Sequence, residues 1–186
     1  AGFLNDVADD FLPTLRGRLQ NELGIPPTNV MVNASHTHPV GPEHRLLCSD
    51  EEQFEKTFEA IAEATQMLEP VRIGSGVGYE DRLTVNRNVT LKDGRQTCLR
   101  HWDPCPRDED IAQMGPIDPE IGLVRVDRLD ESPLAILYNF ASHLSMAGPE
   151  PGLSADFPGV ASRVIEENVG DGVMAFFLQG ANGDII

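Results

Sequence analysis

Apolar residues recur at Leu4, Val7, Phe11, Leu15, Leu19 and Leu23, close to the spacing of one helical face, and predict an amphipathic helix over residues 3–23. Pro13 lies inside that stretch and is expected to kink or restart it. Gly24 followed by Pro26 stops it. Thr28 to Ser35 is short and β-branched at its start, the pattern of a buried strand. A second helix is expected from Ser49, whose hydroxyl can cap it while Glu52 reaches back. Phe54, Phe58, Ile61 and Leu68 supply its apolar face, and Pro70 bounds it.

Val71 to Tyr79 alternates and reads as a strand loosened by three glycines. Residues 80–120 are polar, proline-rich and aperiodic, a long excursion of the kind that carries function or moves. Ile121 to Asp127 and Leu134 to Phe140 read as two strands joined into a hairpin by RLDESP. A third helix is expected from Pro158 to Asn168, with proline in the first turn and Gly170 past the end. Val173 to Leu178 reads as a fully buried strand. Helices intermixed with strands, at least one pair antiparallel, predict an α/β layered fold with a mixed β-sheet flanked by helices.

Composition narrows the functions. The 186 residues suit a single domain over 1–186, or part of a larger one, and 40% hydrophobic with 24% charged residues is a globular balance. Thirty acidic against fourteen basic residues give a net charge of −16, which argues against a nucleic-acid partner and against a basic patch on anionic lipid. No apolar run approaches the ~20 residues of a membrane span. Three cysteines are too few for a disulfide scaffold, although Cys98 and Cys105 are spaced to close a short loop. The chain opens at Ala1 and stops at Ile186 directly after an apolar run, so both ends are expected to be cut from a longer polypeptide.

Chemistry gathers at three predicted strand ends. In Asn33-Ala34-Ser35-His36-Thr37-His38-Pro39, residues two apart on an extended chain share a face, so His36 and His38 would project together. Neutral imidazoles so placed suit Zn²⁺; a core histidine followed by a loop histidine is the alternative. His143 follows an apolar strand and precedes a Gly/Pro-rich loop, either as a satisfied buried residue or as a further imidazole for the same ion. Gln179-Gly180-Ala181-Asn182-Gly183-Asp184 again follows a strand, a tight turn or a close backbone approach offering polar atoms from Gln179, Asn182 and Asp184.

Taken together, VMVNASHTHPVGP, NFASHLSMAGPE and AFFLQGANGDI resemble, in order and spacing, the neutral (non-lysosomal) ceramidase family. VGYEDRLTVNRN is similar to that family's asparagine-arginine segment, here Asn86-Arg87, and GPIDPEIGLVRVDRLDESPLAILYNFASH to the strand pair before its second histidine motif. The resemblance implies a ceramidase-like catalytic domain of which this chain is part, acting as a zinc-dependent amide hydrolase through a metal-activated water. It implies His36 and His143 as zinc ligands, His38 as a neighbour that hydrogen-bonds reacting groups, and Asn182 and Asp184 in the catalytic set. The family's glutamate and tyrosine ligands lie further along the polypeptide. A lipid or other small-molecule amide is the implied substrate, with a secreted or periplasmic location favoured.

One departure stands out. Where family members carry a serine implicated in catalysis, this chain has Ile186, which neither attacks nor donates a hydrogen bond. A water-attack hydrolase of another amide or ester, or a binding module that kept the fold without the chemistry, is the rival reading. Among lesser candidates, Cys98, His101, Asp103 and Cys105 hold possible metal donors in a spacing that matches no zinc pattern, and His44 reads as a loop residue. Asp156 is expected to cap the third helix.

Overall fold

A computed structural model describes residues 10–36, 50–99, 104–145 and 154–186. Helix α1 runs Phe11–Leu23. Pro13 therefore falls in the first turn, where its missing N–H breaks no helical bond, and the expected kink is not needed. The start predicted at residue 3 lies outside the described residues. Gly24 ends the helix at φ 70°, its N–H reaching the Gln20 carbonyl and the Ile25 N–H the Leu19 carbonyl. Glycine takes this left-handed position without a Cβ clash.

Helix α2, Asp50–Thr65, packs on α1 around the buried Leu15, Leu19 and Phe58, with Phe11 edge-on to Phe54 at 5.7 Å. Arg18 closes this pair from above. Its guanidinium lies 3.7 Å from the Phe58 ring centre and bonds both Glu55 oxygens at 2.8 and 2.9 Å. The helix is shorter than the hydrophobic pattern suggested: it stops at Thr65, and Leu68 lies exposed beyond it instead of extending the apolar face. The cap expected at Ser49 lies outside the described residues.

The strand expected over 28–35 does not form. Pro27–Asn29 is a single 3₁₀ turn, and the described residues 30–36 join no ladder. A side chain takes the ladder's place. Asn33 Nδ2 donates to the Gln179 carbonyl at 3.1 Å while Gln179 N–H donates to Asn33 Oδ1 at 2.9 Å. One amide thus presents the donor and acceptor that a neighbouring strand would supply.

The main sheet contains strands β1 (Val71–Tyr79), β5 (Glu120–Arg128), β6 (Pro133–Phe140) and β7 (Met174–Gln179) in the order β1-β5-β6-β7. The first two junctions are antiparallel and β6–β7 is parallel, so the sheet is mixed, as expected. The hairpin turn after β5 closes through Arg128 N–H to the Ser132 carbonyl, with Glu131 at φ 72°. A parallel neighbour needs a crossover, and helix α3 (Asp156–Val169) supplies it. Asp156 is the first residue of α3, at φ 51°, with its carboxylate on the adjacent Phe157 N–H at 2.6 Å; Ala155 holds the cap position, so the capping role expected of Asp156 is not taken up.

Helix α3 covers one face of β6 and β7. Phe157 meets Phe177 and Phe140 edge-on, and the buried Tyr138 hydroxyl donates to the Pro158 carbonyl at 2.9 Å. The opposite face is less covered. Register aligns Ile73, Val126, Ala135 and Met174 in one row and Ser75, Val124, Leu137 and Phe176 in the next. Ile73, Met174 and Phe176 are all exposed. Strand β7 is therefore not buried on both faces, as its unbroken apolar run suggested.

The excursion at 80–120 is not structureless. It holds a second, antiparallel sheet of β2 (Asn88–Leu91), β3 (Gln96–Cys98) and β4 (Ile111–Met114), in the order β3-β2-β4. Strands of three or four residues are too short to show periodicity. Asp93-Gly94 between β2 and β3 was the available signal, with Gly94 at φ 86°. Cys98 is a free thiol, so the loop closure considered for Cys98 and Cys105 is not formed. Among the described residues, no helix is long and apolar enough to cross a membrane.

Candidate metal centre

The ends of β6 and β7 lie side by side, and the chain after each turns into the same region. Gly180 N–H donates to the Phe140 carbonyl at 3.0 Å, holding the two exits together. A Cβ at Gly180 would lie 3.0 Å from Ala141 Cα, Ala141 N and Phe140 C. Only glycine permits this approach without displacing backbone. Gln179 adds a side-chain clamp, its Nε2 donating to the Ser142 carbonyl at 3.1 Å and the Gly180 carbonyl at 3.2 Å. Its Oε1 is buried with no hydrogen-bond partner among the described residues.

His143 emerges from this clamp almost fully buried. Its Nδ1 lies 2.7 Å from the Ile185 carbonyl, and its backbone N–H donates to that same oxygen at 3.3 Å. A carbonyl only accepts, so Nδ1 carries the proton. In the neutral ring Nε2 is then the lone-pair nitrogen, the form in which a histidine binds metal.

The His36 ring stands 4.8 Å from the His143 ring, centre to centre, with the planes at 69°. Two segments 107 residues apart in sequence are thus brought into ring contact. The route to that contact differs from the one expected. His36 adopts φ 54°, a left-handed conformation that few non-glycine residues take. The chain turns here, so the two-residue alternation that paired His36 with His38 ends before residue 36. His38 lies outside the described residues.

Asn182 is buried, its Nδ2 3.5 Å from the Ser142 carbonyl. Asp184 Oδ2 accepts from Asn86 Nδ2 at 2.9 Å and from Asn88 Nδ2 at 3.3 Å. Arg87 joins the same loop through its backbone N–H to the Asp184 carbonyl at 2.8 Å and its guanidinium to the Gly183 carbonyl. Residues 85–87 therefore pair with 184–186 as a short antiparallel bridge centred on Asn86 and Ile185.

The buried polar residues are Thr84, Asn86, Ser142, His143 and Asn182 among those described, and all five belong to these three converging segments. Burying polar groups is costly unless they are hydrogen-bonded, so their concentration in one place marks a candidate site. The sequence pointed to two of these segments by chemistry, and to residues 84–88 only by resemblance. The Asn86 network and the Ile185 carbonyl were missed, because neither an asparagine in a loop nor a backbone oxygen has a sequence signature.

Two imidazoles are donors that a zinc ion would take. Nitrogens ~2.0–2.1 Å from one tetrahedral ion place two imidazole centres roughly 5 Å apart, and the observed separation is 4.8 Å. Among the described residues, no group of three or more His, Cys, Asp or Glu side chains is clustered closely enough to hold a metal ion. Of the alternative site at Cys98 to Cys105, His101 and Asp103 lie outside the described residues, as does His44.

Two solved structures share the fold. Neutral ceramidase from Pseudomonas aeruginosa matches with a TM-score of 0.63 and 21% identity over 96% of this chain, and a ceramidase complexed with C2 matches with 0.63 and 25% identity over 94%. The chain spans 29% and 28% of their respective lengths. No family model and no curated protein matches it. The ceramidase-like α/β architecture is thereby shown.

Proposed function

We propose that this chain forms part of a zinc-dependent hydrolase of amide bonds, with His36 and His143 as two of the metal ligands. The observation that carries the reading is the 4.8 Å approach of those rings, one of them held in the Nδ1–H form by the Ile185 carbonyl. The ion would polarise the scissile carbonyl and lower the pKa of a water to roughly 7. The chain's own residues do the rest. The Gln179 clamp and the Gly180 contact fix the floor from which His143 projects. His38 is proposed to move a proton between the attacking water and the leaving amine, a role that suits imidazole near neutral pH. Asn182 and Asp184 are proposed to flank the reacting amide, set in place by Ser142 and by Asn86.

Both structural neighbours are ceramidases, which favours a lipid amide as substrate. Ile186, standing where a catalytic serine would be by resemblance, favours a different amide or ester attacked by water. The test is metal content by mass spectrometry on the full chain, with His36→Ala and His143→Ala, alongside hydrolysis of ceramide and of short N-acyl amides. Loss of metal and of turnover in both variants is expected. Full metal occupancy in both would refute the assignment, and turnover without metal loss in His38→Ala would remove its proton role.

A further inference from the structure

We infer that Asn86 is a positioning residue for His143, acting through the Ile185 carbonyl; the inference rests on the reading of His143 as a metal ligand. Asn86 is 3% exposed and spends its whole amide on three different neighbours. Its Nδ2 donates to the Pro116 carbonyl at 2.7 Å and to Asp184 Oδ2 at 2.9 Å, and its Oδ1 accepts from the Asn88 N–H at 2.8 Å. The Pro116 turn, the start of β2 and the loop after β7 are therefore pinned to one side chain. Asp184 is the residue before Ile185, whose carbonyl takes both protons offered by His143.

Backbone pairing alone leaves this carbonyl underdetermined. Val85 and Ile186 exchange bonds at 2.8 and 2.9 Å, Arg87 N–H reaches the Asp184 carbonyl and Ile185 N–H the Asn182 carbonyl, but that short bridge is not extended by further strand. The Asn86 side chain braces it against the Pro116 turn from the other side. Gly115 shows how tight the brace is, since a Cβ there would lie 2.6 Å from Asn86 Cγ. Ligand orientation by groups beyond the metal's own contacts commonly changes affinity by 10–100-fold.

Three variants of the full chain separate the possibilities. Asn86→Asp keeps the volume and the acceptor for Asn88 while deleting both donors. Asn86→Ala removes the whole brace. Gly115→Ala drives an unaltered Asn86 from its seat. Asn88→Ala, which removes only the exposed 3.3 Å bond to Asp184, is the control. The first readout is ¹⁵N-histidine NMR of the metal-free protein, which reports which nitrogen of His143 carries the proton. The second is the zinc dissociation constant by chelator competition.

The expected result is a wild-type His143 signal of the Nδ1–H form that becomes mixed in the Asn86 and Gly115 variants but not in the control. Zinc affinity should weaken about 10–100-fold in the same variants. Wild-type proton placement in both Asn86 variants would overturn the inference. Global unfolding of all three variants would also overturn it, making Asn86 a determinant of the fold instead. Should zinc fail to bind wild type, the ligand reading fails, while the NMR comparison still decides whether Asn86 orients the ring.

Discussion

Replacing Gly180 by alanine inserts one methyl where β6 and β7 leave the sheet together. Three backbone atoms lie 3.0 Å from the new Cβ, against ~3.5–4.0 Å for an ordinary carbon contact. No side-chain rotation relieves a clash with Ala141 Cα, Ala141 N and Phe140 C, so one strand end must move. Overpacking of this kind costs about 1–3 kcal/mol. If the move breaks the Gly180 N–H bond to Phe140, a further ~0.5–1.5 kcal/mol goes with it. The expected loss is about 1–4.5 kcal/mol, read as a lowered urea midpoint at unchanged slope. Gly183→Ala, three residues on, is the matched control: nothing lies within 4 Å of its Cβ, and its effect should stay within about 0.5 kcal/mol. Equal midpoints for the two variants would refute the close approach on which the site's floor is built.

Two further outcomes follow from the same geometry. Tyr138→Phe should cost about 1–3 kcal/mol by calorimetry, because it strips the Pro158 carbonyl of its buried donor. Burial raises the Tyr138 pKa, so wild type should lose stability as pH climbs through and beyond 10 more steeply than the variant does. Glu80 accepts the Arg82 guanidinium at 2.9 Å and the Arg82 N–H at 2.8 Å, which lowers its carboxyl to about 2 from 4.5. A depressed carboxyl stabilises the fold above its unfolded value and loses that contribution as pH falls toward about 2, so an NMR titration should show that midpoint and its return upward in Arg82→Ala.

What the sequence revealed follows the length of the elements. Long periodic segments such as α1, β5, β6 and α3 were legible because burial of one face imposes a pattern on many residues. The small β2–β4 sheet was not, since its strands are held mainly by backbone pairing and a glycine turn. The strand assigned to 28–35 failed for a related reason: Val30 and Val32 supply β-propensity, but the segment meets β7 through the Asn33 side chain, at Gln179, and not through a backbone ladder. At the site, His36 and His143 were visible as ligand chemistry. Their meeting depends on the left-handed turn at residue 36, which apolar spacing does not encode.

The two rings are anchored very differently. One is rooted in sheet, clamp and carbonyl; the other follows a left-handed bend, three residues after the Asn33 amide that meets Gln179. Sequence drift along that segment can therefore shift the His36 ring while the sheet stands. Drift around residue 143 strikes scaffold and chemistry at once. Variation among descendants of this fold should accumulate on the first side and be purged on the second.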